Sequence, residues 1–303
     1  MTTSSAISSG LRATWRAKWM VLLFFGCNLL MAAALAAPMQ SVIADHIGNS
    51  AIGEQLARGF STSWLAEFQI ANAVFLKSFS IAIVYGAIVF LALNTVLSAG
   101  AFEVFAQGEG ARLHAFGRGI GKYFLRFARI VLIASLFYFV AFWFWQRPVA
   151  ALVDRMFADG TVERWHFYLS WVRWALLFIT VFSVNLMVEY AKADVVVHER
   201  QSAMGALGRG AGFVLANFGR VLWIYVALGI LTAASILAYA VFARYFPQSS
   251  VATVFIWFVV AQVFVWLRWM FRLSSWGAAV AYYASHRAPL TAPATAAAAP
   301  AQA

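Results

Sequence analysis

Ala206-Leu207-Gly208-Arg209-Gly210-Ala211-Gly212, running on to Asn217-Phe218-Gly219-Arg220-Val221-Leu222, occurs twice in this chain. The earlier copy is Ala115-Phe116-Gly117-Arg118-Gly119-Ile120-Gly121, running on to Arg126-Phe127-Ala128-Arg129-Ile130-Val131. Between 115–133 and 206–224, 8 of 19 positions are identical at a constant offset of 91. A fixed offset marks an internal repeat. The match extends upstream, pairing Asn94 with Asn185 and Glu103 with Asp194.

Both copies lie between long apolar runs. Of the 303 residues, 63% are hydrophobic and 11% charged, where soluble domains carry about 25% charged residues. One soluble core cannot hide that much apolar surface, so lipid must be the solvent for much of it. The net charge of +11 comes mostly from 18 arginines. These lie between the apolar runs, a pattern that fits membrane orientation and anionic lipid rather than nucleic acid. The single cysteine, Cys27, excludes an intrachain disulfide.

Six spans are expected, at about 19–37, 73–98, 123–145, 166–190, 218–243 and 251–284. Each is long enough to cross a hydrocarbon layer. The first has a basic flank and Ala34-Leu35-Ala36 as a cleavage-like site, but five spans follow it, so it reads as an uncleaved span. Residues 1–11 read as disordered, and so does the Ala/Pro-rich tail 288–303. Ile52, Leu56 and Phe60 suggest a short helix on the membrane surface, and Phe246-Pro247-Gln248-Ser249-Ser250 reads as a tight turn. The fold class is therefore all-α, a polytopic helix bundle forming one membrane domain over 1–287.

If the N-terminus is cytoplasmic, 15 of the 22 basic residues fall on the cytoplasmic side, which places both termini there. Both Gly-Arg-Gly stretches then lie on that side. The repeat becomes span–cytoplasmic helix–span, over about 73–145 and 166–243, in parallel rather than inverted orientation.

Gly117 and Gly121, like Gly208 and Gly212, are four apart and share a helix face, so close helix packing is expected there. Arg118 and Arg129 are eleven apart, as are Arg209 and Arg220. On a continuous helix each pair shares a face, about 16 Å apart along the axis. These four arginines are the candidate contacts for lipid headgroups or another anionic ligand. The repeated acids Glu103 and Asp194 each lie about 15 residues before an arginine, suggesting ion pairs within each hairpin or, alternatively, a role in proton or cation coupling. Glu189 is a further acid near the inner end of the fourth span, where ionisable groups are functional candidates.

No catalytic constellation is present. HExxH and GxSxG are absent, and Gly121-Lys122 is followed by Tyr123, where a phosphate-binding loop needs Ser or Thr. The five histidines are widely scattered. No metal or cofactor is expected.

Ala203, Ala206-Leu207, Arg209, Phe213, Asn217-Phe218 and Val221-Leu222 resemble the cytoplasmic segment of uncharacterised bacterial six-span membrane proteins. The stretch is also similar to the membrane domain attached to some bacterial glycerophosphodiester phosphodiesterases. Gly53-Glu54-Gln55-Leu56, Gly59-Phe60 and Trp64-Leu65 resemble the first loop of such six-span proteins. The resemblance implies a bacterial inner-membrane protein. No soluble catalytic domain is present in the chain, so no activity carries over. Two readings stand: a non-enzymatic permease-like or accessory protein that binds a lipid, a small solute or a partner, and an embedded enzyme acting on lipid or a polyprenyl-linked substrate. The expected partners are anionic membrane lipids, with a homo-oligomer or an unknown membrane protein as further options.

Overall fold

A computed structural model shows an all-α chain and describes residues 1–48, 52, 56, 61–108, 113–156, 163–246 and 250–286. The helices are α1 (Thr3–Arg16), α2 (Lys18–Ile47), α3 (Thr62–Ala71), α4 (Ala73–Gln107), α5 (Leu113–Gln146), α6 (Pro148–Met156), α7 (Glu163–Val197), α8 (Ala203–Ala216), α9 (Phe218–Tyr245) and α10 (Val251–His286). Six of them, α2, α4, α5, α7, α9 and α10, are long and apolar enough to cross a membrane. This is a multi-pass membrane protein. The long helices outrun the apolar segments because the polar residues beyond each span are helical too. The surface helix expected around Ile52–Phe60, the turn at 246–250 and the 288–303 tail fall largely or wholly outside the described residues.

Two compact units emerge. The first comprises Leu22–Asn94; the second, Met1–Val21 with Thr95–Ala303. In the first, the end of α2 meets α3: His46 lies edge-on to Phe68, 5.2 Å between centroids, and Trp64 stacks on Phe68. The Ser61 hydroxyl accepts from the Trp64 N–H and caps α3.

The second unit is organised by three helix pairs. A Cβ added at Gly119 on α5 would lie 2.5 Å from Glu103 Cβ and 2.9 Å from Ala99 O on α4. One added at Gly210 on α8 would lie 2.6 Å from Ala191 N on α7. One added at Gly10 on α1 would meet Ser274 O and lie 2.7 Å from Ala278 N on α10. In each pair, glycine is what lets two helix backbones approach. The burial pattern repeats as well. Ala6, Gly10 and Thr14 are buried on α1, as are Ala115, Gly119 and Tyr123 on α5, and Ala206, Gly210 and Val214 on α8. The pairs also touch one another: Phe102 meets Phe127 and Trp276, and Gly277 meets Phe105.

Three sequence expectations change here. Residues 1–11 are ordered: Thr2 caps α1 by accepting from the Ser5 N–H, and α1 behaves as a third copy of the short packing helix. Its serines, alanines and glycine look unstructured, but small side chains are what close backbone contact requires. Second, Gly117, Gly121, Gly208 and Gly212 have open space around them among the described residues. The glycine between them, Gly119 or Gly210, makes the contact, because helical spacing says which residues share a face without saying which face is covered. Third, Arg209 and Arg220 do not share a continuous helix. Asn217 ends α8, its side-chain amide donating to Phe213 O, and α9 starts at Phe218. In the first copy, α5 runs unbroken through Arg126, so Arg118 and Arg129 do lie on one helix.

Candidate functional site

Burial on α4, α5, α7, α9 and α10 is concentrated in part of each helix, including Thr95–Val104, Leu186–Val196 and Leu273–Tyr283, so that these stretches form packed ends. Three carboxylates lie in these packed ends: Glu103, Glu189 and Asp194. Each has its own set of donors.

Asp194 is fully buried on α7. Arg209 on α8 donates from Nε at 2.9 Å to Oδ2, and the Tyr283 hydroxyl on α10 donates at 2.7 Å to Oδ1. His198 Nδ1, one turn further along α7, lies 3.0 Å from Oδ1, without hydrogen-bond alignment. One carboxylate thus joins α7, α8 and α10. The ring of Tyr283 also packs against Phe213 and Tyr190.

Glu103 is the corresponding acid in the first copy. Arg118 Nε lies 3.6 Å from Oε1, and Gln107 on the same helix donates to the same oxygen. Both acid–arginine pairs read from the repeat therefore form, but unequally. The Arg118 side chain is 50% exposed, against 29% for Arg209.

Glu189 faces elsewhere. Arg272 on α10 bridges to Oε1 at 2.7 Å, Asn185 donates to the same oxygen at 3.2 Å, and the Tyr225 hydroxyl on α9 donates to Oε2. The sequence singles out Glu189 near the end of the fourth span but does not reveal Arg272 and Tyr225 as its partners. The only available signal was that a buried acid needs a donor. Nor does the sequence reveal Lys192. It is buried, with its ammonium 5.4 Å from the Phe127 ring centroid.

Glu199 follows α7 in the left-handed region, at φ 54°. Such a conformation commonly stops a helix but strains a residue with a side chain. Two α5 side chains hold it: Lys122 bonds Glu199 Oε1 at 2.6 Å, and Arg126 Nη1 donates to the carbonyls of Glu199 and Arg200. The Lys122 hydrogen bond, and next its charge, hold the Glu199 carboxyl below its usual value. The resulting stabilisation is present above the ordinary glutamate value of about 4.3 and is lost as pH falls through the lowered one. Exposure and screening keep it small.

Arg129 and Arg220, ten residues beyond the packing glycines, are exposed and have no acidic partner among the described residues. Of the four candidate headgroup arginines, then, Arg118 and Arg209 are engaged by acids, while Arg129 and Arg220 remain available. Among the described residues, no group of three His, Cys, Asp or Glu is placed to hold a metal ion.

No protein-family model, curated protein or solved structure matches this chain.

Proposed function

We propose that this is a non-enzymatic membrane protein, permease-like or accessory in type, that works by holding anionic lipid against its basic face. The observation that carries the proposal is a division of labour among the charges. The three buried carboxylates are each occupied by donors from the fold. At equivalent repeat positions, Arg129 and Arg220 stay exposed without an acid among the described residues. Buried acids with committed partners act as structural ties; exposed arginines at span ends suit lipid phosphate.

The Arg129→Gln/Arg220→Gln variant tests it through thermal stability in detergent, with and without phosphatidylglycerol. The parent protein should gain stability with that lipid, and the variant should lose most of the gain. Equal gains would count against the proposal.

The location belonging to this reading is the bacterial inner membrane, with both termini cytoplasmic. Reporters fused after residues 50 and 158 should read extracytoplasmic, and those after 110 and 200 cytoplasmic. A cytoplasmic signal at 158 would overturn the orientation.

A further inference from the structure

Arg268 and Arg272 are one turn apart on α10. At spacings of three and four, their stripe continues along the helix as Val265, Ala261, Phe258 and Val254. Val254, Phe258 and Arg268 are exposed, and the Arg272 side chain is 40% exposed. From Val251, the helix rises about 26 Å to Arg268 and about 32 Å to Arg272. A bilayer's hydrocarbon core is about 30 Å thick. With Val251 at one boundary, the two guanidiniums therefore reach the phosphates of the opposite leaflet.

Charge at this level is unbalanced. Both Glu189 oxygens are occupied, by Arg272 and Asn185 on one and Tyr225 on the other. Lys192 is buried within electrostatic range of both Glu189 and Arg272. Arg268 has no acidic partner among the described residues. Among the described residues, two arginines and a lysine thus stand against one carboxylate at this level. The apolar stripe beside them is open, so the missing negative charge can arrive from the lipid side.

We propose that Arg268 and Arg272 hold the phosphate of one anionic phospholipid whose acyl chains lie along Val254, Phe258, Ala261 and Val265. The inference rests on the anionic-lipid reading above and gives it a specific place, separate from Arg129 and Arg220. Arg272 commits Nη2 to Glu189, which leaves its other nitrogens for phosphate. Arg268 supplies a second planar donor set of the kind that suits phosphate oxygens.

Native mass spectrometry of the full chain, released from mixed phosphatidylglycerol/phosphatidylcholine micelles, tests this. The variants are Arg268→Gln and Arg129→Gln/Arg220→Gln. Arg268 is exposed and makes no contact with Glu189 among the described residues, so its replacement leaves the Glu189 contacts in place. The parent should retain one phosphatidylglycerol in preference to phosphatidylcholine. Arg268→Gln should weaken that retention about ten-fold, the usual worth of one charge-assisted bond, and the double variant should keep it. If Arg268→Gln retains the lipid like the parent and the double variant loses it, the α10 site is wrong and the general lipid reading survives. If the parent does not discriminate between the two lipids, both fail. Displacement by millimolar inorganic phosphate would show that a soluble anion is the ligand, and would overturn the proposal.

Discussion

Gly10→Ala, Gly119→Ala and Gly210→Ala should each destabilise the protein, whereas Gly117→Ala, Gly208→Ala and Gly212→Ala should stabilise it. At the first three positions the added Cβ meets another helix within 3.0 Å, and at each its neighbours include backbone atoms that cannot turn aside. Overpacking of that kind costs about 1–3 kcal/mol, more than the roughly 1 kcal/mol that alanine gains over glycine within a helix. At the second three positions the space is open, so only the helix-propensity gain of about 0.5–1 kcal/mol remains. Thermal denaturation in one detergent ranks all six. A shared sign for Gly208→Ala and Gly210→Ala, two residues apart, would contradict the packing described here.

The second large effect concerns Asp194. Asp194→Ala removes a fully buried carboxylate and leaves the Tyr283 hydroxyl and Arg209 without their acceptor. A loss of about 3 kcal/mol is expected, because breaking one side of a buried pair strands the other. Arg209→Ala should cost somewhat less, since Arg209 is partly exposed and Tyr283 still serves the acid. The double variant should lose clearly less than the sum of the singles, the mark of direct coupling. Glu103→Ala and Arg118→Ala provide the internal comparison. That pair is 3.6 Å apart and half-exposed on the arginine side, so its coupling should stay below about 1 kcal/mol. Equal coupling in the two copies, or strict additivity at Asp194, would show that burial does not separate them.

The contrast between those pairs shows what the sequence makes legible. The spans are readable because about 20 apolar residues in a row have few other destinations. Both acid–arginine pairs are readable because a constant offset of 91 brings each acid to the same arginine position. Burial is not repeated along with identity, so the difference between Glu103 and Asp194 appears only in the packing. α1 is harder still. With Thr2 set against Ser202, Ala6 and Gly10 fall on Ala206 and Gly210, and little else matches. Two small residues carry the contact with α10, and they leave no hydropathy signal. Glu189, Arg272 and Tyr225 come from three different helices, and no local spacing predicts which long-range donor a buried acid will find. Helix breaks are similarly hidden. Asn217 separates α8 from α9, whereas Arg126 at the matching position continues α5.

The central structural claim is that the chain's first helix closes the packed end by lying on its last. A Cys27→Ser background leaves no native thiol, so Gly10→Cys paired with Ala278→Cys gives a direct measurement. The added Cβ at Gly10 would lie 3.0 Å from Ala278 Cβ, slightly inside the usual disulfide range of about 3.5–4.5 Å, so a small shift of α1 suffices. In native membranes under mild oxidation, the pair should form an intramolecular bond and exclude maleimide from both thiols. Free, maleimide-reactive thiols at both positions, in protein that still carries its six spans, would show that residues 1–16 do not pack on α10 and would contradict the account.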